Sequence, residues 1–72
     1  MDREMELAHL AIADRHIAEG EARIASQRAL IARLGGGGRE THEAERLLAC
    51  YCETMVEWVR HREMIRAALR RG

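Results

Sequence analysis

The chain has 72 residues, enough for one domain and too few to bury a large core on its own. Its twelve basic residues, all arginine, balance twelve acidic ones to a formal net charge of zero, so no global field draws it toward nucleic acid or an anionic membrane. Proline and phenylalanine are absent and Ala, Leu, Ile, Arg and Glu dominate, a composition that favours helix over strand.

At the N-terminus, Asp2, Arg3, Glu4 and Glu6 stand where a signal peptide would need an apolar core. No apolar run approaches a membrane span. A cytoplasmic protein without membrane association is the expectation. Cys50 and Cys52 lie two apart, which on a helix turns their side chains about 200° from one another, so they read as free thiols of a reducing compartment.

The first predicted helix spans residues 2–34. Leu10, Ala13, Ile17, Gly20, Ile24, Gln27, Ile31 and Leu34 follow an unbroken 3-4 spacing, the mark of one buried helical face. In heptad terms the aliphatics Leu10, Ile17, Ile24 and Ile31 occupy one seam position and small or polar residues the other, a coiled-coil-like pattern. Gly20 costs about 1 kcal/mol relative to Ala in a helix, and its place on the seam points to close approach by a side chain from the facing helix.

Four consecutive glycines open a turn assigned to residues 35–40, with Gly35 as the left-handed residue past the helix end. Thr41 is the expected N-cap of a second helix over residues 41–70, with Glu43 and Glu45 in its first turn. A second 3-4 series runs through Ala44, Leu48, Tyr51, Met55, Trp58, Arg62, Ile65 and Leu69. Both helices then reach about 45 Å at ~1.5 Å per residue. The fold class is all-α: a single domain, residues 1–72, formed by two long antiparallel helices, an αα-hairpin.

A short turn places residues whose numbers sum to roughly 76 opposite one another, as antiparallel packing of equal helices requires. Trp58 and Tyr51 then face the small residues Ala18, Gly20 and Ala25, and the acidic start (Asp2, Glu4, Glu6) lies beside the basic end (Arg66, Arg70, Arg71). Leu47, Cys52, Val56 and Val59 widen the stripe on the second helix, and Leu7, Leu30 and several alanines widen it on the first. That breadth suits a bundle helix. For so small a fold, ~25 cal/mol per Å² of burial against ~1.5 kcal/mol per ordered residue comes out near zero. Dimerisation into a four-helix bundle is the simplest remedy, with a second copy or another helical protein as partner.

One layer of the seam is polar. On the expected register Arg62 lies opposite Asp14, with His16 and His61 one step away on the same side. The preferred reading is an ion pair that selects register; the sharper one is a metal or proton-transfer site built from His16, His61 and a carboxylate. Glu6 and His9 form one Glu-x-x-His, whereas a di-iron bundle needs that motif on two helices. Glu53, Glu57 and His61 do not supply the second. His16, His61, Glu6 and His9 are thus candidate metal ligands that rank below surface placement, and no cofactor is expected.

Neither cysteine sits at a helix N-terminus, where a thiolate would be activated. The tetraglycine lacks the Gly-Lys-Ser/Thr ending of a phosphate loop, and Glu40, Glu43 and Glu45 follow it. Residues 60–72 carry five arginines against Glu63, a local charge of +4, which opens the alternative of a small RNA-binding hairpin dimer. Against it, those arginines face the acidic start, and the aromatics belong to the seam instead of forming a stacking platform.

The run HIAEGEARIASQRALIARL over residues 16–34, followed by Thr41, Ala44-Glu45-Arg46-Leu47-Leu48, Glu53-Thr54 and His61-Arg62, resembles a group of short uncharacterised proteins common in rhizobia and related alphaproteobacteria. The likeness covers most of the chain. It implies a bacterial cytoplasmic helical hairpin and brings no catalytic residues with it; four glycines stand in the turn where charged residues are expected. The chain thus reads as a non-enzymatic, self-associating interaction or regulatory module. Leu10, Ile17, Ile24, Ile31, Leu48, Met55, Trp58, Ile65 and Leu69 carry its packing, and Asp14 and Arg62 its polar layer.

Overall fold

Asp2 starts the first helix: its backbone is extended and its carboxylate accepts from the Met5 N–H at 3.2 Å, satisfying one of the orphan donors of a helix start. Helix α1 then runs over Arg3–Leu34 and helix α2 over Arg39–Arg71. The computed structural model describes residues 2–72 and is an all-α antiparallel hairpin, with no strand among the described residues. It measures 51 × 14 × 13 Å, a rod two helices wide.

Gly35 closes α1 in the left-handed conformation, its N–H donating to the Ile31 carbonyl at 3.3 Å. Gly36 and Gly37 also have positive φ. Three successive residues in that region exclude L side chains, so the chain reverses within the glycine run and α2 starts at once. Thr41 is therefore not the N-cap. Gly38 holds that place, its carbonyl accepting from the His42 N–H at 3.1 Å, and Glu40 is the acid of the first turn where Glu43 and Glu45 were expected. Thr41, inside that turn, is 3 % exposed. Because the reversal needs only the glycines, the helix begins two residues ahead of the first good capping side chain.

The two 3-4 series face each other. Ala13, Ile17, Ala44, Ile65 and Ala68 are buried, while Leu10, Ile24, Ile31, Leu48, Met55, Trp58 and Leu69 are half-buried. Among the described residues no large side chain is fully enclosed, because two cylinders touch along one line and leave their shoulders open.

Register places Met55, and not Trp58 or Tyr51, over Gly20: a Cβ added at Gly20 would lie 2.7 Å from the Met55 Cε. Ala18 and Ala25 point outward. The two aromatic residues sit at the seam's edge, half-buried, and neither the indole Nε1 nor the phenol oxygen is buried without a partner. That placement suits side chains with an apolar body and a polar tip. At the open end the expected ion pairs between Asp2, Glu4 or Glu6 and Arg66, Arg70 or Arg71 do not form among the described residues. Arg66 pairs within its own helix, with Glu63 at 2.9 Å, since i, i+3 neighbours lie closer than residues across the seam. Arg3 crosses instead, donating from Nη1 to the Leu69 carbonyl at 3.5 Å, where a cation meets the negative end of the α2 dipole.

Two stability predictions follow from this packing. Ile17→Ala removes a buried aliphatic from a thin seam and is expected to cost about 2 kcal/mol or more, read as a lower midpoint in urea. Gly20→Ala is expected to raise the thermal midpoint by up to ~1 kcal/mol equivalent, because the atom in its way is a flexible terminal methyl that can turn aside; a lowered midpoint would mean that Met55 is locked against Gly20.

Candidate interaction face

Helical residues seven apart share a face, so the residues beside the seam form two flanks along the hairpin. On one, α1 sets His9, His16, Arg23 and Leu30 and α2 sets Leu47, Thr54, His61 and Ala68. On the other, α1 sets Leu7, Asp14, Glu21 and Arg28 and α2 sets Glu45, Cys52, Val59 and Arg66. The first carries one formal charge in eight positions and the second five.

Three shallow grooves follow the weakly charged flank. Near the turn, Leu30, Leu34, Ala44 and Leu47 help line one of about 330 Å³. In the middle, His16, Gly20, Arg23, Tyr51, Met55 and Trp58 line a larger one of about 440 Å³, with Glu19 and Thr54 at its sides. Thr54 and Trp58 continue into a third of about 420 Å³, completed by Glu57 and His61. Apolar and aromatic side chains line these grooves together with five charged ones, Glu19 and Arg23 in the middle, Glu40 and Glu43 near the turn and Glu57 beyond Trp58.

Trp58 organises the middle of this flank. The His16 ring stacks on it with centroids 4.2 Å apart and planes at 21°, and His61 meets it edge-on at 5.7 Å and 75°, both favoured aromatic geometries. One turn toward the glycines, the Arg23 guanidinium lies 5.6 Å from the Tyr51 ring centroid, a cation–π contact. His16 and His61 therefore do not flank the Asp14–Arg62 pair. Residues 14 and 16 are about 200° apart on a helix, so the histidines belong to the aromatic flank and the ion pair to the charged one.

On the charged flank, Arg62 Nη1 donates to Asp14 Oδ1 at 3.5 Å. Arg62 Nε lies 3.9 Å from Glu63 Oε1, too far for a hydrogen bond, and it is buried without an acceptor among the described residues. Glu63 also holds Arg66. Asp14, Arg62, Glu63 and Arg66 thus form one chain of charges that ties the helices together.

Glu6 and His9 pair with each other at 3.8 Å, on a different part of α1 from His16 and His61. No three His, Cys, Asp or Glu side chains converge as a metal site would require, among the described residues. Of the C-terminal arginines, Arg60 is held by Glu57 at 3.1 Å, Arg62 and Arg66 by the charge chain, and Arg70 and Arg71 are exposed. Cys50 is exposed and Cys52 half-buried, both as free thiols. Among the described residues no helix is long and apolar enough to cross a membrane.

Gln27 is a contact that periodicity alone did not assign. Its Nε2 donates to the Ala44 carbonyl at 2.9 Å from a buried position, clamping the two helices just above the turn. The signal is a polar residue on an otherwise apolar or small seam, opposite an alanine that leaves the backbone within reach.

No protein-family model matches this chain, and neither the curated proteins nor the solved structures contain a significant match to it.

The Asp14 and Arg62 side chains are 50 % and 23 % exposed, so solvent screens their attraction and the pair contributes less than ~1 kcal/mol, whereas an unsatisfied buried donor costs ~1–3 kcal/mol. Arg62→Met is accordingly expected to hold or raise the thermal midpoint, and Asp14→Ala to lower it by less than ~1 kcal/mol equivalent. Circular dichroism melts of both variants check this; a large loss in Arg62→Met would show that the ion pair outweighs the stranded Nε.

Proposed function

We propose that the chain is a non-enzymatic interaction module of the bacterial cytoplasm that works as a homodimer, two hairpins side by side in a four-helix bundle. The observation that supports this reading is an excess of surface. A folded monomer of 8.2 kDa exposes about 4500 Å² by the usual scaling with mass, and the hairpin exposes 5384 Å². The surplus, roughly 850 Å², is close to the ~800 Å² that each partner gives up in an interface of standard size.

Composition of the surface supports the same reading. Met5, Leu7, Ile12, Leu34, Leu47, Val56 and Met64 are all exposed, a density of large apolar groups that a small soluble rod does not need. A zero formal net charge leaves two copies without mutual repulsion. The sequence resemblance to short alphaproteobacterial proteins implies a cytoplasmic helical hairpin and supplies no reaction.

Sedimentation equilibrium at tens of micromolar is expected to return twice the chain mass, and a thermal midpoint that rises with protein concentration, as linkage requires of a dimer. Ile24→Asp, which places a charge in the seam itself, is expected to abolish helix content and dimer together. A monomeric mass for the unaltered chain overturns the proposal.

A further inference from the structure

We propose that Met55 is an oxidation-sensitive site: hydrogen peroxide converts its thioether to the sulfoxide, and the contact between the helices at Gly20 loosens. The inference rests on contacts within one hairpin. Met5 and Met64 are 55 % and 65 % exposed, so a sulfoxide on either meets water and disturbs no packing. Met55 is half-buried, and its tip takes the place a side chain would occupy on Gly20: a Cβ built there would stand 2.7 Å from Met55 Cε and 3.9 Å from Sδ. The same side chain lines the central groove, through which an oxidant as small as peroxide reaches the sulfur.

The reaction balances without a further reagent. Sδ attacks one peroxide oxygen, the O–O bond breaks as the sulfur–oxygen bond forms, and the other oxygen leaves as water with both protons; sulfur is oxidised by two electrons and peroxide reduced by two. A flexible apolar group becomes a polar, chiral one. Held over Gly20, the sulfoxide oxygen meets a backbone whose N–H groups are already committed to the helix. Turned out into the groove, it leaves Gly20 uncovered and the seam one packing group short. Either way α1 and α2 hold each other less firmly. Gly20→Ala differs, because the added methyl fills the space that a displaced Met55 tip leaves, whereas oxidation leaves that space empty.

The unaltered chain, Met55→Leu and the double variant Met5→Leu/Met64→Leu are treated with hydrogen peroxide at one protein concentration, mapped for sulfoxide by mass spectrometry and melted by circular dichroism. Leu for Met nearly conserves volume, so the fold is retained. All three keep Cys50 and Cys52, which makes thiol oxidation common to them. Peroxide is expected to lower the thermal midpoint of the unaltered chain and of the double variant alike, by about 5 °C, the scale on which a domain of this size responds to one lost packing group. Met55→Leu is expected to lose less than about half of that, and methionine sulfoxide reductases for both epimers are expected to restore the unaltered chain.

A Met55 that stays reduced while Met5 and Met64 are fully oxidised overturns the assignment. So does a Met55 sulfoxide that leaves the midpoint unchanged, a loss that the reductases do not reverse, or a loss in Met55→Leu as large as in the unaltered chain.

Discussion

The rest of the molecule depends on one thin seam with small residues among its buried positions on both helices, Ala13 on α1 and Ala44 and Ala68 on α2. Gly20 lies on α1 where Met55 comes across from α2, so the axes can approach closely there. Leanness has a consequence beyond fit. A seam with alanine and glycine at its closest points buries little apolar area per turn, and larger groups stand at its edges, Trp58, Tyr51 and Leu30 half-buried and Leu47 exposed.

Polar contacts divide the task of fixing register along the rod. Gln27 clamps Ala44 above the turn, Asp14 meets Arg62 farther along, and Arg3 reaches the Leu69 carbonyl at the open end. Aliphatic seams tolerate sliding, because any ridge fits several grooves. Directional bonds at three heights do not. Of the three, only the Gln27 bond is buried and short, so the turn end is held more tightly than the open end, where a cation caps the last turn through solvent-exposed contact.

The hairpin was legible in the sequence because its information is periodic: the two 3-4 series map onto the half-buried and buried residues, from Leu10 to Ile31 and from Ala44 to Leu69. What escaped depends on offsets too small for periodicity to fix. A glycine run has no preferred capping residue of its own, so Thr41 looked like the start of α2 although Gly38 is. Three residues, less than one helical turn, separate Met55, which lies over Gly20, from Trp58. His16 and Asp14, close in number, fall on opposite flanks because helical position turns by about 100° per residue. The uneven charge of the two flanks, by contrast, was present in the heptad positions and needed only the seam as its reference.

The turn also constrains how two copies can meet. A chain with two compatible stripes has a second option: to straighten into one long helix and lay its halves on another chain, satisfying the same seam between molecules. Gly35, Gly36 and Gly37 all adopt positive φ, a sequence of conformations that breaks the helix at the one place where it would have to continue, and glycine is among the poorest residues for carrying it through. Joined by so short a link, the two halves face each other at an effective concentration in the millimolar range, which favours closure within one chain over exchange between chains. With the seam satisfied internally, the apolar groups left open to solvent are those outside it, Met5, Leu7, Ile12, Leu47, Val56 and Met64 among them.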